Sequence, residues 1–204
     1  MLSSLPVRAL LALLSLGHLA HAAEEGAAKR LTEERACRDC DLSGADLADT
    51  DLVDVYATYT VFDGANLSGA DLSDGFMPFA RFAGTDLTGA TLDRLNARQS
   101  IFTGATLETA TGLEAALPGA TFTDAILDGA RFDGAYLMGA NLGGASMIGA
   151  SLNGADLTGA VLTDADLSDA DLTGATLENV GLDGAVFCRT TMPDGSRRDD
   201  GCGR

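Results

Sequence analysis

The chain has 204 residues and is strongly acidic, with 30 Asp and Glu against 13 Lys and Arg and a formal net charge of −17. Such a chain repels phosphate backbones, so direct nucleic-acid binding is not expected. It has no Trp and only two His, at 18 and 21, both inside an N-terminal stretch that reads as removed, which excludes triads, dyads and zinc sites that need imidazole.

That stretch, residues 1–22, has the pattern of a secretory signal. Met1 to Arg8 carries one positive charge, Ala9 to Leu16 is apolar, and Ala20-His21-Ala22 supplies the small-x-small cleavage pattern. The apolar run is too short to span a bilayer and is apolar on every side, which fits an amphipathic surface helix poorly. Loss of Arg8 takes the formal charge of the mature chain to −18. No second apolar run of spanning length follows, so no membrane span is expected in the mature chain. The expected location is periplasmic or extracellular.

Residues 23–39 form an N-terminal cap segment, in which Glu24 to Arg35 has the composition of a short helix. From Leu42 to Phe187 a repeat of five runs without a slip, giving 30 centres, of which 27 are Leu, Phe or Met. The exceptions are Ala57, Ala97 and Gly112. Two residues before each centre stands Ala in 21 of the 30 repeats, and the other three positions are mostly Asp, Asn, Ser, Thr or Gly. Two inward residues per five, one large and one small, match neither a helix nor a flat strand; the backbone must turn a corner in every repeat.

This pattern resembles the pentapeptide-repeat family over residues 40–189. The resemblance implies an all-β fold, a right-handed quadrilateral β-helix with four repeats per coil. Thirty repeats then make about 7.5 coils and a rod about 36 Å long at the spacing of paired strands. Phe62, Phe82, Phe102 and Phe122 are 20 apart and are expected to stack as one internal ladder. At Ala57 and Ala97 the lost volume is offset by Val55 and Leu95. Around Gly112 a local bulge or kink is expected, with a functional loop as the lesser alternative.

The tail, residues 190–204, is polar and turn-rich, with Pro193-Asp194-Gly195 as a turn signal. Both cysteine-flanked ends, Cys37-x-x-Cys40 and Cys188 to Cys202, resemble those of exported bacterial members of the family. A four-cysteine zinc site would need ligands from opposite ends of the rod, about 36 Å apart against a zinc–sulfur bond of about 2.3 Å. Two local disulfides, Cys37–Cys40 and Cys188–Cys202, suit an oxidising compartment. A redox-active Cys37-x-x-Cys40 is disfavoured because both cysteines hold inward phase beside Asp39 and Asp41.

Function in a repetitive rod is sought where outward positions break the pattern. Tyr56, Tyr59, Phe76, Phe79 and Pro78 fall on outward phase in two adjacent coils, and Asn96 and Gln99 end the patch above. Exposed aromatic clusters are enriched at partner interfaces. The alternative is that the cap helix or a neighbouring loop covers them. Asp51 and Asp54 stack against Asp71 and Asp74, an oxygen-rich set that suits calcium, an acidic rim or, by preference, a solvated surface. No cofactor is implied. The leading reading is a non-enzymatic exported scaffold for a protein partner. Some members of the family mimic DNA and protect a topoisomerase, which makes that the second reading; export and the interruption of the acidic columns by Arg81, Arg94 and Arg131 weigh against it. A calcium-stabilised structural module is the third.

Overall fold

The computed structural model describes residues 26–203, so the expected secretory signal at 1–22 lies outside the described residues. Nearly every repeat closes a β-turn. The N–H of Ala45 bonds the carbonyl of Leu42 at 3.1 Å, and the same link recurs from Ala65 to Phe62 (2.9 Å) and onward along the chain. The third residue of every turn is left-handed, for example Gly44 at φ 69° and Asp54 at φ 58°, as a type II turn requires. Gly, Asn and Asp tolerate that conformation best, which explains their recurrence two places after each centre. The Asp one place before a centre acts differently. Asp41 accepts bonds from the Ser43 hydroxyl (2.6 Å) and N–H (3.0 Å). The Ser43 hydroxyl and then its N–H hold the Asp41 carboxyl below its usual range. Thr158 does the same for Asp156, and Thr173 for Asp171. Much of the acidity is therefore part of the turn.

Between turns there is room for one bridging residue per side. Isolated parallel bridges join residues 20 apart from Ala36↔Tyr56 to Asp171↔Thr191 without interruption. Twenty residues, four pentapeptides, thus complete one circuit and present four faces. Among the described residues, continuous strands occur only in the tail, where β1 (Thr190–Thr191) pairs antiparallel with β2 (Arg197–Arg198).

Inside, the large and small residues of each repeat form one core from Ala27 and Leu31 to Phe187. Phe62, Phe82, Phe102 and Phe122 stack with centroids 5.0, 4.7 and 4.7 Å apart and planes within 5° of parallel. Where a buried Thr or Ser replaces the small Ala, its hydroxyl donates to a carbonyl one circuit below: Thr60 to Cys37, Thr85 to Phe62 (2.7 Å), Ser100 to Met77 (2.9 Å) and Thr190 to Leu167 (2.6 Å). No buried side-chain polar atom among the described residues lacks a partner.

The weak centres are filled by two devices. Val55 with Ala57 and Leu95 with Ala97 exchange large and small positions, and all four are fully buried. Leu95 also packs over Gly75, whose missing Cβ would lie 3.1 Å from Leu95 Cδ1. The bulge expected at Gly112 does not occur. Thr111↔Arg131 continues the ladder, and the Gly112 N–H bonds the Arg131 carbonyl at 2.7 Å. Instead the ring of Phe132, one circuit above, occupies the vacated volume; a Cβ on Gly112 would lie 2.4 Å from Phe132 Cε1. A small residue stacked under a large one keeps core volume without bending the chain.

Both ends are tied down. Residues 26–33 form a helix, α1, whose Ala27 and Leu31 are buried against the first circuit. Cys37 and Cys40, both buried, are disulfide-bonded with Cα atoms 5.5 Å apart. A second disulfide joins Cys188 to Cys202, and no free cysteine remains among the described residues. The tail folds back so that Gly201 donates to the Phe187 carbonyl (2.9 Å) and the Arg198 guanidinium sits 3.8 Å from the Phe187 ring centroid.

Candidate interaction face

Bridges Tyr56↔Phe76↔Asn96↔Ala116↔Tyr136 define one of the four faces. Tyr56 and Phe76 lie side by side, centroids 5.9 Å apart and planes tilted by 43°. Tyr59 and Phe79 stack at 5.0 Å and 10°. Tyr56 is 64% and Tyr59 46% exposed, whereas Phe76 and Phe79 are half-buried. The helix α1 therefore does not cover the two tyrosines. Pro78, read as outward from its phase, is buried, whereas Phe76 and Phe79 beside it are half-buried.

The backbone at this site carries a cost. Tyr59 and Phe79 have φ of 59° and 61°, where most circuits place Gly, Asn or Asp. A bulky residue in the left-handed region costs about 1–2 kcal/mol relative to Gly. The stack is closed by cations: the Arg38 guanidinium lies 5.9 Å from the Tyr59 centroid and that of Arg98 5.8 Å from Phe79. Such contacts return about 0.5–1 kcal/mol each at exposed sites. Local conformational preference is thus overridden twice at one place on the surface, which is common at functional sites.

The face extends further than the two-coil patch read from the sequence. Tyr136 (51% exposed) and Met138 (38%) lie on it two circuits beyond Asn96. The signal was available, since Tyr136 is 80 residues after Tyr56, four whole circuits. All three tyrosines and both phenylalanines that are not repeat centres stand on this one face. From Tyr56 to Gly139 its outward positions carry no carboxylate, although the chain has 30.

The aspartate set lies on the preceding face, with Asp51 bridged to Asp71. Three of its four carboxylates, those of Asp51, Asp71 and Asp74, are already engaged. Arg35 donates to Asp51 Oδ1 at 3.0 Å, and Arg94 clamps Asp74 through Nε (2.7 Å) and Nη2 (2.6 Å). The Arg94 hydrogen bonds hold the Asp74 carboxyl below its usual range, and Arg35, then the Val53 N–H, does so for Asp51. Asp71 accepts from the Ser73 N–H at 3.0 Å. Among the described residues no group of three or more His, Cys, Asp or Glu is placed to hold a metal ion. Sequence reading missed these clamps, although Arg94 stands one circuit above Asp74 and Arg189 one circuit above Asp169, its ion-pair partner.

The matched family is consistent with this geometry: a profile of pentapeptide repeats aligns in 8 copies, over residues 37–74, 79–111, 115–154 and 140–179. The chain belongs to the pentapeptide-repeat family. Its fold is accordingly of the right-handed β-helix type. Members of the family are generally structural or interaction modules without catalysis. No curated protein matches.

Three solved pentapeptide-repeat structures illustrate the range. HetL of the cyanobacterium Nostoc sp. strain PCC 7120, involved in heterocyst differentiation regulation, is 29% identical, with 80% of this chain and 89% of HetL covered and a TM-score of 0.27. A protein of the Arabidopsis thaliana thylakoid lumen is 28% identical over 57% of this chain and 68% of its own, with a TM-score of 0.25. QnrB1, a plasmid-mediated fluoroquinolone resistance protein, is 20% identical over 71% of this chain and 87% of its own, with a TM-score of 0.40. In this pentapeptide-repeat chain the inward positions repeat, so what distinguishes it lies outward, on the Tyr56–Tyr136 face. No helix among the described residues is long and apolar enough to cross a membrane.

Proposed function

We propose that the mature chain is an exported, non-enzymatic rod of about 7.5 coils, capped by α1, that serves as a rigid platform for a protein partner in the periplasm or extracellular space. One observation carries the reading: every outward aromatic side chain of an acidic protein stands on a single face that is free of carboxylates from Tyr56 to Gly139. Export draws support from the leader pattern at residues 1–22 and from two disulfides with no thiol left over. The DNA-mimic reading loses support because Arg81, Arg94 and Arg131 pair with Asp63, Asp74 and Asp133 and break the acidic columns. The calcium reading loses support because two of its four carboxylates are held by guanidinium groups.

The test has two parts. Replacing Leu10 to Leu14 with polar residues should leave an uncleaved cytoplasmic form; a wild-type chain found full-length in the cytoplasm would sink the export reading. Tyr56→Ser with Phe76→Ser should abolish crosslinked capture of a partner from the native envelope while leaving thermal stability nearly unchanged, because interface aromatics contribute about 2 kcal/mol at a hot spot. A large fall in melting temperature with an unchanged set of captured proteins would mean that the face is structural.

A further inference from the structure

The geometry of the Tyr56–Tyr136 face points to a particular kind of occupant: we infer that it receives an extended segment of about six to eight residues, lying along the rod, apolar at both ends and acidic at its centre. The inference rests on the reading of this face as an interaction surface and adds the chemistry of what binds. Three observations define it.

The first is the spacing of apolar anchors. Tyr56, Tyr59, Phe76 and Phe79 form one cluster of paired rings, and Tyr136 and Met138, both exposed on the same face, supply a second group of apolar side chains further along the rod. Four circuits separate Tyr56 from Tyr136, about 19 Å at the ladder spacing, which an extended chain covers in about six residues. The second is charge. Nine of the eleven basic residues described are paired with a carboxylate; the exceptions are Arg30 and Arg98. Arg30 instead donates to Cys40 Sγ at 2.9 Å. Arg98 lies between the two apolar groups, is exposed, and among the described residues its guanidinium has the Phe79 ring beside it and no carboxylate partner. An arginine unpaired in a chain of 30 carboxylates, flanked by Asn96 and Gln99, is suited to one carboxylate supplied by the partner. The third is area. The strip is about 19 Å by about 10 Å, near 200 Å², well under the ~800 Å² per partner of a stable protein–protein interface. A second rod or a globular domain would find too little surface; a short segment fits.

Ring orientation agrees with this. Because Tyr59 and Phe79 stack face to face along the rod and are closed by Arg38 and Arg98, they present edges outward. Ring edges carry the positive end of the quadrupole and favour acceptor oxygens over flat apolar faces.

The experiment measures fluorescence anisotropy of labelled eight-residue peptides against the full mature chain. One peptide carries Phe-Leu at its first end, Leu-Leu at its last and Glu at the centre; its partners place Lys at the centre, or gather the four apolar residues at one end. The Glu-centred peptide should bind at least tenfold more tightly than either. Arg98→Glu, remote from the core, should reverse the preference between Glu and Lys. Binding of none of the three peptides, equal binding of the Glu-centred peptide and either partner, or a preference unmoved by Arg98→Glu would overturn the inference. So would a rod that sediments as a dimer through this face and is made monomeric by Tyr56→Ser with Phe76→Ser. If those two changes abolish envelope capture while the peptides fail, the interaction face survives and the acidic-centred segment alone is refuted.

Discussion

Two aromatic columns of this protein arise from the same twenty-residue circuit and have opposite roles. Phe62, Phe82, Phe102 and Phe122 stack inside at 4.7–5.0 Å and are buried to within 1%. Tyr59 and Phe79 stack outside at the same 5.0 Å, on a backbone that would sooner hold glycine. The period makes residues stack; the phase within the repeat decides whether the stack serves the core or faces outward. The inner column is favoured by burial, whereas the outer one is held against local preference.

The contrast can be broken in graded steps. The largest effect is expected at Phe102→Ala, which removes the middle of the inner ladder and should cost about 3–5 kcal/mol in chemical denaturation. Phe132→Ala, outside that column, should cost a similar amount while the β-type circular dichroism of the ladder region persists; equal loss of that signal at both sites would count against ladder packing. Next, Cys188→Ser with Cys202→Ser frees the tail and should cost about 3 kcal/mol for a loop of this size. The wild-type protein should show no alkylatable thiol under denaturing conditions without reductant, and four reactive cysteines would refute both links.

A smaller loss, about 1–3 kcal/mol, is expected for Gly112→Ala, because the new methyl meets the Phe132 ring. Phe132→Leu should relieve it, so a double-mutant cycle should yield a coupling of at least ~0.5 kcal/mol; additive effects would mean the two sites are independent. The smallest effect belongs to the outer column. Tyr59→Gly with Phe79→Gly gives up a stack of about 0.5–1.5 kcal/mol and two cation–π contacts of about 0.5–1 kcal/mol each, but relieves two left-handed residues at about 1–2 kcal/mol each. Stability should stay level or rise slightly, and partner capture should vanish. A loss as large as that of Phe102→Ala would erase the distinction between the columns.

Much of the inner column was legible from the chain. The fifth-residue spacing of Leu42, Leu47 and Leu52, the four Phe at intervals of 20, and the exchanges at Val55/Ala57 and Leu95/Ala97 all follow from counting. Gly112 was misread as a kink because the sequence was compared along the chain and not one circuit up, where Phe132 supplies the missing volume. The same oversight hid Arg94 above Asp74 and left Tyr136 out of the aromatic face.

The linear sequence thus determined period, phase and the inward residues, because burial acts on each repeat separately and writes itself into every fifth position. Tertiary structure decided what lies beside what across circuits: which carboxylates are neutralised, that Pro78 is buried, and that Arg98 is left with a ring and no anion. Those outcomes depend on side-chain reach between residues about 20 apart, and on competition among charges for the nearest partner, which no single repeat contains.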